Sequence, residues 1–261
     1  MIAPAIVVET NFSIAWAKTF LSLMEPSGHT RHPAVITVNG LENDELRESP
    51  EIRARIDEEL LRYKKSSCAT VAGTIFPFSM WNPNTVDDAD VLYRRYERAW
   101  KGIQKCPANR RGVYFRRLTS FQPKGSSEKP INQLKFICET FARGNHRKSA
   151  LQASILDPTR DHTNNRLKGF PCMQQVSFTP LDHGRLSITG FYATQYQFEK
   201  AYGNYLGLYW LGSFMAKQLG LKLSQLVCVA SVLERGGQSQ AALDRLANDL
   251  RSMVADASVG K

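Results

Sequence analysis

The sequence contains no apolar run approaching the roughly 18 residues that a membrane-spanning helix needs, so a spanning segment is not expected. Its first residues, MIAPAIVVET, lack the basic flank of a signal peptide and soon meet Glu9. No Cys-x-x-Cys pair and no zinc-like Cys/His spacing occurs, and no disulfide framework is written in the chain. Its 5 cysteines (Cys68, Cys106, Cys138, Cys172 and Cys228) are odd in number and scattered. Such a set fits a reducing compartment, where free cysteines pack as small hydrophobes. Repeats, low-complexity tracts and obvious linkers are also missing, which makes a single domain over 1–261 the simpler expectation. The protein is therefore expected to be soluble and cytoplasmic, without a membrane or metal partner.

What is present is an ordinary globular composition: 43% hydrophobic, 22% charged and 10% aromatic residues in 261, enough to bury a sizeable core. The charge is not ordinary. A net +10 predicts attraction to anions. The basic residues concentrate in 94–117 and again in 143–168, either as solvated helix faces or as an anion site. No stacked-aromatic or recognition-helix pattern accompanies them, so nucleic acid is not an expected partner.

Apolar spacing predicts an α/β fold, in the α+β sense. Phe12, Trp16, Phe20 and Leu23 fall on one face of a helix over 11–24, with Asn11 or Ser13 as its cap. AVITVNG (34–40) reads as a strand, 50–65 as a charged helix, and ATVAGTIFP (69–77) as either a buried strand or a short helix. A turn-rich stretch over 81–90 precedes a charged helix reaching about 105. Residues 119–130 read as loop, 131–142 as helix and SALQASIL (149–156) as strand. The loop DHTNNRLKG leads into Phe170-Pro171-Cys172. Two strands follow, 173–181 and 185–194, joined by Asp182-His183-Gly184. Residues 203–219 are apolar on nearly every side and predict a buried central helix. A strand over 225–231 and an amphipathic helix through Leu243, Leu246, Leu250 and Met253 complete the order.

Pro171-Cys172, the hairpin after it, the aromatic strand end, Asn204 and the helix ending Phe214-Met215-Ala216 resemble the core of the thymidylate synthase superfamily, which includes the pyrimidine hydroxymethylases. The upstream order is similar too: a helix and then a strand after Arg31, Gly112-Val113-Tyr114 before a loop, and Arg147-Lys148 before a strand. The resemblance implies a mixed sheet with a central buried helix and flanking helices, forming a homodimer with shared sites. It implies a transferase that adds a one-carbon unit to C5 of a uracil-type nucleotide, nucleoside or base, with methylene-tetrahydrofolate as the expected donor.

In such chemistry a thiolate adds to C6 and turns the pyrimidine into an enolate able to attack an electrophilic carbon, so the cysteine must be partly ionised. The resemblance gives this role to Cys172, with Arg147, Lys148 and Arg166 as candidate cations; the plain alternative is a core thiol. It gives Tyr114 a part in removing the C5 proton, against an ordinary half-buried tyrosine. Asn204 takes the uracil edge, where a carboxamide donates to O4 and accepts from N3–H, against a helix N-cap. Arg31 and Arg147, with Lys148 beside it, take the substrate phosphate, and the second arginine comes from the partner subunit; each is otherwise plain surface.

The departures bear on the reaction. The phosphate-gripping arginine of the family strand is Ala193, and no arginine lies between Arg185 and Arg235. The family's His-x-Tyr falls near Glu234-Arg235-Gly236, no histidine follows His183, and 70–76 offers no glutamate. Tyr196 stands near the place of the pteridine-binding aspartate. The chain closes on DASVGK where the family carries a hydrophobic tail. Ordinary dTMP synthesis is therefore not expected. A non-catalytic nucleotide-binding or interaction protein on the same scaffold is the second expectation.

Overall fold

The computed structural model describes residues 4–26, 28–41, 45–83, 89–165 and 170–259. A seven-stranded sheet organises the chain: β1 (Ala5–Glu9), β2 (Thr30–Arg31), β3 (Ala34–Asn39), β4 (Gln152–Ser154), β5 (Met173–Leu181), β6 (Arg185–Tyr196) and β7 (Lys222–Glu234). The order is β1-β3-β7-β6-β5-β4, with β2 continuing along β7. Pairs β1/β3 and β6/β7 are parallel and the others antiparallel, so the sheet is mixed. The helices are α1 (Phe12–Leu23), α2 (Pro50–Arg62), α3 (Cys68–Ile75), α4 (Ala89–Lys105), α5 (Tyr114–Thr119), α6 (Gln133–Ala142), α7 (Pro158–Asp161), α8 (Tyr202–Leu219) and α9 (Gln240–Val259). No helix among the described residues is long and apolar enough to cross a membrane.

Local chemistry starts the helices. Asn11 caps α1, its Oδ1 accepting from the backbone of Ser13 and Ile14. Ser49 caps α2, with Pro50 in the first turn. Between β6 and β7 the parallel pairing requires a crossover, and α8 provides it. That helix buries residues on all sides, as its apolar circumference predicts. It ends at Gly220 in the left-handed conformation that glycine adopts without strain.

The stretch 69–77, open between strand and helix, is largely helix: α3 lies directly on α8. A Cβ at Gly203 would meet Val71 at 2.5 Å, and one at Gly207 would meet Ile75 at 2.7 Å. The two glycines let the helices approach closely. SALQASIL is corrected: only Gln152–Ser154 is strand. Lys148–Ala150 form a 3-10 turn, and the amides of Ile155 and Leu156 both bond to the Gln174 carbonyl, which ends the ladder.

The sheet has two unlike faces. Ile36, Val38, Cys228, Tyr192 and Val176 point into the helical layer and are buried. On the other face, register aligns Gln175, Phe191, Val229, Val35 and Ile6 across five strands. Ile6 is 72% exposed and Phe191 40% exposed, so this row is uncovered in the single chain.

Candidate active site

Cys172 immediately precedes β5, and its carbonyl accepts the Ala193 amide of β6 at 3.0 Å. Gln174 Nε2 donates to the Pro171 carbonyl at 2.8 Å and to the Cys172 carbonyl at 3.3 Å. The cysteine backbone is thus held from both sides. It opens on a small cavity of about 190 Å³ lined by residues including Asp161, Thr163, Asn165, Phe170 and Gln174.

Phe170 is one wall of this cavity. Its ring packs on Tyr114 with centroids 5.1 Å apart, and the Arg117 guanidinium lies 5.4 Å from its centroid. It also covers Gly112, where a Cβ would stand 2.4 Å from the ring and φ is +137°. Only glycine fits beneath this ring. Arg117 and Asp161 form a buried fork, with Nη1–Oδ2 at 3.0 Å and Nη2–Oδ1 at 3.1 Å. Arg117 also donates to the Ile155 carbonyl, and Asp161 accepts the Asp157 amide at 2.8 Å. The carboxylate in this wall is therefore already engaged.

Tyr114 lies next to Cys172 at the start of β5. Its hydroxyl accepts the Met173 amide at 3.5 Å, beside the reacting candidate. Burial, then the neighbouring Cys172, push its phenol up, so it is a neutral hydroxyl at neutral pH. Tyr192 joins this pair from β6. It is fully buried, its hydroxyl has no hydrogen-bond partner among the described residues, and it interacts electrostatically with Tyr114 and Cys172.

The ionisation expected of Cys172 is not a property of the isolated chain. Burial pushes its thiol up, and the charge of Lys200 pulls it down without reversing the effect. Lys200 sits on the π-helical turn Gln197–Ala201 that follows β6; nothing in the one-dimensional pattern singled it out. Arg166, named as a candidate cation, lies outside the described residues.

The substrate-side candidates are dispersed. Asn204 is not an N-cap: Ala201 occupies that position after the π turn, and Asn204 lies inside α8. It is 5% exposed, and its carboxamide makes no hydrogen bond to a described residue. Arg31 is buried rather than surface. It pairs with Glu25 at 3.0 Å and donates to the carbonyls of Thr30 and Ser22, at the C-terminal end of α1. A phosphate there would have to displace those bonds.

Arg147 and Lys148 are exposed. They precede Leu151, whose carbonyl bonds Phe178. Within one chain the charge that acts on Cys172 is that of Lys200, not of Arg147 or Lys148.

The place of the family's His-x-Tyr holds a surprise that sequence order hid. His29, far upstream, is folded beside Arg235, with its Nδ1 at 3.0 Å from the guanidinium. The bridge is β2, which pairs Thr30 with Glu234. No carboxylate occupies 70–76, as read from the sequence; Glu199, within the π turn, pairs with Lys65 at 2.8 Å.

Neither a protein-family model nor a curated protein matches the chain. The cavity is smaller than the ~300 Å³ lower bound for a drug-sized ligand. Tyr196, expected near the place of the pteridine-binding aspartate, is 42% exposed.

Proposed function

We propose that the protein is a diverged transferase that attaches a one-carbon unit, methyl or hydroxymethyl, to C5 of a uracil-type pyrimidine through a covalent Cys172 adduct. The observation that carries this reading is the meeting of Tyr114 and Cys172 at the head of β5, from distant parts of the chain. Cys172 Sγ, once deprotonated, forms a bond to C6, and the C5=C6 electrons move onto O4. C5 then attacks the electrophilic carbon of a one-carbon donor. An aldehyde-level carbon gives hydroxymethyl as its C=O π pair takes up a proton. A methyl donor gives methyl as its methyl–heteroatom bond breaks and the electron pair leaves with the heteroatom. Loss of the C5 proton, to water oriented by the neutral Tyr114 hydroxyl, lets the C6–S bond break and restores the ring. The unpartnered Asn204 carboxamide suits the O4 and N3–H edge.

Ionising Cys172 then depends on substrate or on a second chain. A homodimer joined through the open sheet face would cover the Phe191 row and, as the resemblance implies, bring Arg147 and Lys148 from the partner subunit. Light scattering should give twice 29.4 kDa; a monomer mass at micromolar concentration removes the shared site.

A second reading is favoured by the raised Cys172 thiol and the pre-paired Asp161: the same site binds a pyrimidine without reacting. Intact-protein mass spectrometry after incubation with uracil, uridine and their nucleotides decides. Mass added to the wild type but not to Cys172→Ser supports the transferase. A pyrimidine retained non-covalently by both supports the binding protein.

A further inference from the structure

The charge excess has a geometry that its sequence position did not reveal. On α4, Arg94, Arg98, Lys101 and Lys105 are all exposed. At 100° per residue they fall within about 60° of one another and span about 16 Å of helix. None of the four makes an ion pair with a described residue. The acidic residues of the helix do not offset them: Asp90 pairs with Lys135 at 3.3 Å, and Glu97 pairs with Arg116. The stripe is therefore a line of uncompensated positive charge.

Its position matters as much as its sign. From Lys105 the chain continues through a 3-10 turn to exposed Arg110 and Arg111, then to Gly112 beneath Phe170 and Tyr114 beside Cys172. The cations run along the chain up to the wall of the candidate site. A lone phosphate close to Cys172 meets Ala193 rather than an arginine at the near end of β6. A polymer would draw its phosphate affinity from the stripe instead.

We infer that the α4 stripe, continued by Arg110 and Arg111, binds the phosphate backbone of a single-stranded nucleic acid and leads one of its pyrimidines to Cys172. The cations are about 4.5–6 Å apart along the axis, close enough for consecutive contacts to one strand. Single-stranded rather than duplex is chosen because C6 is reachable only when the base is out of the stack. That choice rests on the reading of Cys172 as the reacting thiol; the polyanion track itself does not.

Fluorescence anisotropy with a labelled 20-nucleotide single-stranded DNA tests it, using Cys172→Ser protein so that chemistry plays no part. The oligonucleotide should bind at low salt. The variant Arg94→Gln/Arg98→Gln/Lys101→Gln/Lys105→Gln should lose at least tenfold in affinity, and its log–log salt slope should shrink by about 3, four contacts at ~0.7 each. The single variant Arg98→Gln, with a slope change of about 0.7, serves if the fourfold variant fails to fold. No binding by the parent, or unchanged affinity and slope in the variants, overturns the track. Tighter binding to the matching duplex or to phosphatidylserine vesicles overturns the single-stranded assignment. Loss of the track alongside a retained Cys172 adduct with free nucleotide would leave the transferase standing.

Discussion

Cys172 and Cys228 lie in the same region of the sheet, on opposite sides of β6, and their surroundings differ in almost every respect. Cys228 sits in the middle of β7, fully buried, bonded to the Gln195 side chain, and burial pushes its thiol up to about 12. Cys172 lies just before β5, at a bulge between Met173 and Gln175, partly exposed, opening on a cavity and within the field of Lys200. The difference teaches that reactivity here depends on where the ladder stops. A strand interior buries and neutralises a thiol, whereas a strand end leaves one side of it for another molecule.

Four experiments would break or sharpen that contrast. The largest expected effect is on turnover: Cys172→Ser should lower C5 transfer by about 10³-fold or more, because a neutral hydroxyl is a much weaker nucleophile. Cys228→Ser should leave the rate within a few-fold. Assay of both variants, with circular dichroism to confirm folding, is the check; comparable losses would erase the contrast. Next, Asp161→Ala strands the buried Arg117 charge in the cavity wall and should cost about 3–5 kcal/mol in urea unfolding. A loss under about 1 kcal/mol would show that the fork is not the support described above.

A smaller effect is expected in labelling. In a Cys106→Ser background, which removes the one exposed cysteine, iodoacetamide should modify Cys172 at least about 100-fold faster than Cys228. Because burial raises the Cys172 thiol, its rate should still be climbing above pH 9, not levelling near 7. A plateau near neutrality would show that an ionising partner is already in place. The smallest effect is on alkaline stability. Cys228 titrates near 12 folded and ~8.5 unfolded, so its contribution is complete below the unfolded value and is lost as pH rises towards 12. Cys228→Ala should flatten that decline, measured as the urea midpoint between pH 8 and 11; an unchanged slope would assign the decline to other groups.

Elements with one strong period were legible in the sequence. Phe12, Trp16, Phe20 and Leu23 gave the face of α1, and AVITVNG gave β3, because each buries one side only. The apolar 69–77 gave no period, since α3 is shaped by the two glycines of α8, a partner far along the chain. SALQASIL looked like a full strand because apolar spacing cannot show that a backbone turn uses its first residues. In the site, Cys172 and Tyr114, both named through the resemblance, lie side by side at the head of β5. Lys200 and His29 were not, because their places depend on a π turn and on the β2/β7 pairing. Arg31 was misjudged as surface because two of its partners, the Ser22 carbonyl on α1 and its neighbour Thr30's carbonyl, carry no signature in the sequence.

The close contact of α3 and α8 bears on how this protein can vary. Gly203 and Gly207 flank Asn204, and each is pressed against backbone as well as side-chain atoms of α3: the Cys68 carbonyl at 2.7 Å and the Ala72 carbonyl at 3.0 Å from the added Cβ positions. Even alanine at either site must lever the two helices apart, since a carbonyl cannot swing aside as a side-chain tip does. In a library randomised along α8, these two positions should return glycine almost alone, while neighbouring Trp210, which is only partly buried, should accept several residues. The axis of α8 would then be a fixed reference line against which side chains on its other faces could drift.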